Sequence, residues 1–101
     1  MEDVRDYIHN LVRNNKVVLF MKGSPDFPQC GFSSVVVSIL NNMQIPFIGV
    51  DVLLDDDMRQ GIKDYTSWPT IPQLYINGIF VGGCDIAKQL YQSGELQKLL
   101  A

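Results

Sequence analysis

Asn77-Gly78 stands between two short apolar runs, Gln73 to Ile76 and Ile79 to Val81, and follows two prolines three residues apart, Pro69 and Pro72. Asn-Gly accepts the positive φ angles of a two-residue hairpin turn, which makes it the strongest short-range hairpin signal. The prolines keep Trp68-Pro69-Thr70-Ile71-Pro72 out of regular structure, because each ring fixes φ and removes a backbone donor. The chain must therefore contain an antiparallel strand pair, entered from an irregular segment and left through Gly82-Gly83.

The rest of the chain supplies what packs on that pair. Val4, Ile8, Leu11 and Val12 recur at helical spacing and predict an amphipathic helix over about residues 2–14. Lys16 to Met21 is β-branched and apolar, the pattern of a strand covered on both faces. Gly23 to Pro28 is turn chemistry. Val36, Ile39, Leu40 and Met43 then predict a helix over residues 31–43, against the local strand preference of Val35-Val36-Val37. Pro46 ends it, and Phe47 to Val52 reads as a second strand.

Asp55-Asp56-Asp57 places acids at the positive end of a further helix, whose buried stripe is Met58, Ile62 and Tyr65. Ile86, Ala87, Leu90 and Tyr91 make another helix, and Leu96, Leu99 and Leu100 a last one after Gly94. The order α-β-α-β-α-β-β-α-α joins a βαβ crossover to a hairpin. The predicted class is α/β: a mixed four-stranded sheet with helices on both faces, in one domain over residues 1–101.

Composition narrows function. With 101 residues, 47% of them hydrophobic and 19% charged, the chain has ordinary globular proportions. Its longest apolar run, Val17 to Met21, is far short of the about 20 residues that span a bilayer. Glu2, Asp3 and Asp6 do not suit a secretory or mitochondrial targeting segment. The expected location is the cytoplasm or a mitochondrial or other organellar matrix, reached in the latter case after loss of an upstream transit peptide. A net charge of −3 argues against nucleic acid as a partner. Only two cysteines, Cys30 and Cys84, point to a reducing compartment in which at least one is reactive.

Cys30 precedes a predicted helix and follows a buried strand. Unpaired N–H groups at a helix start favour a thiolate, and a nearby cation such as Lys22 lowers its pKa further. The alternative is a small buried hydrophobe. The residue three positions on is Ser33, so two-thiol disulfide exchange at this site is excluded.

Lys22-Gly23-Ser24-Pro25 running to Cys30-Gly31-Phe32-Ser33 resembles the active-site segment of monothiol glutaredoxins of the Cys-Gly-Phe-Ser type. Trp68-Pro69-Thr70-Ile71-Pro72-Gln73-Leu74 and Gly82-Gly83-Cys84-Asp85 are similar to that family's other two signature segments, in the same order. The resemblance implies a thioredoxin-like fold and two cofactors, glutathione and a 2Fe–2S cluster shared between two protomers with Cys30 as the protein ligand of each. Composition and spacing show neither cofactor.

The resemblance also implies roles for further residues. A cis peptide at Pro72 would fix the backbone of Ile71, whose N–H and C=O would pair with the cysteinyl part of glutathione. Gly83, Cys84 and Asp85 begin a helix suited to the γ-glutamyl carboxylate, with Asp85 as N-cap facing the ligand ammonium. A simple cap after a Gly-Gly turn is the plainer reading. Lys22 and Arg59 match the positions that hold the glycyl carboxylate. Otherwise Arg59 is an exposed partner of Asp55 at i, i+4, and Lys63 assists or is merely solvated.

Cys84 is either an inert thiol or, on the same side of the sheet as Cys30, a disulfide partner for it. Phe32 is expected as a partly exposed ring, His9 as a surface residue, and Trp68, Phe20 and Tyr75 as core or groove wall. Met21, Met43 and Met58 read as core filling.

Three functions follow. The first is a carrier of 2Fe–2S clusters, dimeric when loaded, for which the resemblance implies transfer to apoproteins and BolA-like partners. The second is a monothiol, glutathione-dependent oxidoreductase, whose turnover the resemblance implies is slowed by the family's extra loop, here Ser24 to Pro28. The third is an interaction module without redox chemistry, which would not require Lys22, Arg59 and Asp85 together.

Overall fold

Strand β1 (Val17–Met21) is buried at every position and lies inside the sheet. It pairs in parallel with β2 (Ile48–Asp51) and antiparallel with β3 (Gln73–Ile76), and β3 continues antiparallel to β4 (Ile79–Gly82). The spatial order is β2-β1-β3-β4 in this computed structural model, which describes residues 3–101. Asn77 and Gly78 take φ of 54° and 80°, the hairpin geometry that their sequence predicts.

Alternation along β1 divides the core in two. Val17, Leu19 and Met21 face a cluster completed by α2 (Gly31–Asn42), α4 (Cys84–Ser93) and α5 (Glu95–Leu100), with Val36, Leu40, Ala87 and Leu96 at its centre. Val18 and Phe20 face α1 (Val4–Asn14) and α3 (Asp56–Thr66), where Ile8, Val12 and Ile62 are fully buried. Each such side chain contributes about 1.5–3 kcal/mol when buried, so a strand apolar on both faces must acquire two helical layers. The expected class holds. The Val35-Val36-Val37 triplet is helical because the same residues, read at helical spacing, bury Val36 and Val37 in the first cluster.

Element ends differ from expectation where side chains intervene. Asp3 caps α1 by accepting the Arg5 N–H at 3.2 Å, so the helix begins at Val4; Glu2, included in the expected span, lies outside the described residues. The second strand ends at Asp51, one residue before the expected Val52. The Asp51 carboxylate accepts the Leu53 N–H at 2.9 Å and turns the chain into a 3₁₀ segment, Val52–Leu54. Asp55 then caps α3, accepting from Asp57 and Met58.

Candidate active site

The loop leaving β1 is fastened before it reaches Cys30. Gly23 donates its N–H to Asp51 Oδ1 at 3.0 Å, and Gln29 N–H donates back to the Lys22 carbonyl at 2.9 Å. Ser24 and Phe27 close the loop through mutual backbone bonds, and Pro25 rests on Gly49. A Cβ on Gly49 would stand 2.4 Å from Pro25 Cγ, so β2 has to be bare at that point.

Cys30 is the N-cap residue of α2, extended at φ −145°, ψ 135°, with no side-chain bond capping the helix in the ordinary way. Its thiol is half-buried and held below the usual cysteine range. The Ser33 backbone N–H lowers it most, partial burial opposes, and the Phe32 N–H, the Lys22 charge and the Ser33 hydroxyl lower it further. Ser33 itself is 0% exposed, and its Oγ accepts the Lys22 N–H at 3.1 Å.

The facing wall is the proline segment. Ser67, in left-handed geometry at φ 57°, ends α3, and Thr66 Oγ1 accepts the Trp68 N–H at 3.1 Å. The Ile71–Pro72 peptide is cis. Behind this wall Gln73, 0% exposed, donates through Nε2 to the carbonyls of Trp68 at 3.1 Å and Thr70 at 3.3 Å.

Gly82 and Gly83 form the third side. Gly82 has φ 152°, and a Cβ there would meet Ile86 Cβ at 2.7 Å. Gly83, and not the expected Asp85, is the N-cap of α4; Asp85 lies in the first turn, exposed, because the chain enters the helix one residue after the Gly-Gly turn.

These walls enclose a cleft of about 610 Å³ that brings together Lys22, Cys30, Ile71, Gly83, Cys84 and Asp85. Arg59 is exposed on α3 and does not line the cleft; Lys63, one turn further along, does. Phe32 is 62% exposed at the rim, as expected. The two cysteines are free thiols with opposite electrostatics. Burial pushes the Cys84 thiol up, with the Asp85 charge adding to the effect.

Outside the cleft, His9 is exposed with Nδ1 3.0 Å from the Tyr65 hydroxyl, while Phe20, Tyr75, Met21 and Met58 are core. Sequence reasoning did not single out Gln73 or Asp51. A lone amide in the apolar run Gln73 to Ile76 was the available signal for the first.

A thioredoxin-like sheet with one activated thiol at a helix start, facing a cis-proline loop, defines a glutaredoxin-type protein. The comparisons agree: the Glutaredoxin family profile matches residues 17–81. The chain is 56% identical over 95 residues to "Probable monothiol glutaredoxin 2" of Rickettsia prowazekii (strain Madrid E), covering 94% of this chain and 89% of that one. It is 61% identical over 93 residues to "Uncharacterized monothiol glutaredoxin ycf64-like" of Synechocystis sp. (strain ATCC 27184 / PCC 6803 / Kazusa), covering 92% and 87%. The solution structure of reduced poplar apo GrxS14 superimposes with a TM-score of 0.84 at 54% identity, covering 96% of this chain and 89% of that one. The chain belongs to the glutaredoxin family, and Ser33 at the position of a second thiol places it among the monothiol members. Among the described residues no helix is long and apolar enough to cross a membrane.

Proposed function

We propose that this chain binds glutathione in the cleft and, through Cys30 and the glutathione thiol, carries a 2Fe–2S cluster between two copies for delivery to apoproteins. The carrying observation is the contrast between two thiols in one cleft. Cys30 is half-exposed and depressed in pKa, while Cys84 is buried and raised. Such clusters ordinarily take four thiolates. Among the described residues no group of three or more His, Cys, Asp or Glu is placed to hold a metal. One available thiolate per chain fits the cargo only if a second copy and two small thiols complete the set. Non-covalently held thiols also let the cargo be released, to an apoprotein or in company with a BolA-like partner.

The cleft matches glutathione in charge. Lys22 and Lys63 offer cations for the glycyl carboxylate, with Arg59 one turn away on α3. The free N–H groups at the start of α4 suit the γ-glutamyl carboxylate, and exposed Asp85 suits the ammonium. Ile71 presents its backbone to the cysteinyl part. Calorimetric titration of the apo protein with glutathione tests this reading; binding that is lost at high salt is expected, and absence of binding at low salt refutes it.

The depressed Cys30 pKa also favours a second activity, monothiol deglutathionylation. The Cys30 thiolate attacks the glutathionyl sulfur of a mixed disulfide, and the client thiolate leaves. A second glutathione thiolate then attacks the Cys30–glutathione disulfide, releasing glutathione disulfide and regenerating the thiolate. Turnover of a glutathionylated peptide, lost in Cys30→Ser, is its test.

A further inference from the structure

Ser33 and Gln73 are the fully buried polar side chains among the described residues, and each stands behind one wall of the cleft. The Gln73 amide has three partners. Nε2 donates to the Trp68 carbonyl at 3.1 Å and the Thr70 carbonyl at 3.3 Å, and Oε1 accepts from the Tyr75 hydroxyl at 3.2 Å. Only one orientation of a carboxamide satisfies this set, since the flipped amide would set an oxygen against two carbonyls. Burial pushes the Tyr75 phenol up, so it remains a donor throughout the working pH range.

The Thr70–Ile71 peptide is trans, because the cis bond lies one position on. In a planar trans peptide the C=O and the following N–H point in opposite directions. Drawing the Thr70 carbonyl inward to Gln73 therefore turns the Ile71 N–H outward, on a residue that lines the cleft.

We propose that Gln73 is a positioning residue: by holding the Thr70 and Trp68 carbonyls inside the protein, it aims the Ile71 N–H at the bound thiol peptide. The inference rests on the glutathione reading above. It explains why this position in an apolar strand carries a neutral group with two donors and one acceptor. Neither methionine, with no donors, nor an ionised glutamate, with acceptors only, reproduces that set.

The test compares glutathione binding in apo wild type, Gln73→Met and Gln73→Glu by calorimetry from pH 5 to pH 8, with the pH midpoint of Cys30 alkylation as a second readout. Gln73→Met should bind about tenfold more weakly, the scale of one lost hydrogen bond. Its Cys30 midpoint should stay at the wild-type value, because Ser33 and Lys22 hold that wall separately. In Gln73→Glu the introduced carboxyl can donate only when protonated. Its affinity relative to wild type should therefore fall as pH rises, whereas the loss in Gln73→Met should be the same across the range.

Gln73→Met affinity within twofold of wild type, or a Gln73→Glu ratio flat across the pH range, overturns the proposal alone. Should Gln73→Met fail to fold, the Gln73→Glu ratio decides. Wild type that binds no glutathione overturns the binding reading and this proposal with it.

Discussion

Ser33 joins two parts of the site: its buried hydroxyl oxygen accepts the Lys22 backbone N–H at 3.1 Å, while the residue itself, in the first turn of α2, lowers the Cys30 thiol pKa, chiefly through its backbone N–H. One buried group thus fastens the end of β1 to the first turn of α2. It keeps the Lys22 backbone in register with the thiolate that the Lys22 charge stabilises.

Ser33→Ala should raise the pH midpoint of Cys30 alkylation and cost about 1–3 kcal/mol of stability, since the Lys22 N–H loses its acceptor. The depressed pKa also fixes a sign. Cys30 contributes stability that is fully present above the unfolded thiol pKa of about 8.5 and is lost as pH falls through the folded value. Denaturant melts across this window should show a shallower pH slope in Ser33→Ala than in wild type.

Lys22→Ala should also raise the Cys30 midpoint, by removing a cation that lowers it. Glutathione should bind more weakly, by about tenfold for each 1.4 kcal/mol lost. The melting temperature should barely move, because a single cation at the rim of the cleft contributes little to folding. Lys63→Ala should weaken glutathione more than Arg59→Ala, since Lys63 lines the cleft and Arg59 does not. Calorimetry at low salt checks the order; equal losses would return Arg59 to the site.

Asp51 Oδ1 holds both the Gly23 and the Leu53 N–H groups, so Asp51→Ala should destabilise the fold by about 1–3 kcal/mol. Asp51→Asn keeps an oxygen in place and should recover most of that loss in a thermal melt. Gly49→Ala should displace Pro25 and the loop it anchors, which would appear as faster proteolysis between Ser24 and Pro28.

Most of the fold is legible in the sequence because its signals are local. Apolar runs, the Asn77-Gly78 turn and helical spacing each act within a few residues. The class and the order of helices and strands correspond to the structure, and Cys30, Lys22, Ile71, Gly83, Cys84 and Asp85, picked out along the sequence, line one cleft. What escaped depends on long-range or capping bonds. The Gly23–Asp51 bond spans 28 residues, and the Asp51 cap that shortens β2 is one side-chain rotamer. The role of Gln73 is not legible locally, because its three bonds exist only once the proline segment has folded back over β3. Arg59 and Lys63 lie one turn apart on the same face of α3, and it is Lys63, further along the helix, that lines the cleft.

Cys84 belongs to the core cluster beside Ala87 and Leu96. Cys84→Ser should therefore cost about 1–3 kcal/mol for a buried hydroxyl, yet leave iron content unchanged. Loss of iron in this variant would mean that the ligand was misassigned.

Cluster sharing through Cys30 is tested most directly by one measurement: iron, acid-labile sulfide and glutathione content, with size by gel filtration, for wild type and Cys30→Ser prepared without oxygen in the presence of glutathione. Wild type should run as a dimer containing iron, sulfide and glutathione in equal amounts, and its apo form as a monomer. Cys30→Ser should be a folded, colourless monomer. A loaded wild type that runs as a monomer, or Cys30→Ser that keeps its full iron and sulfide, would contradict the account.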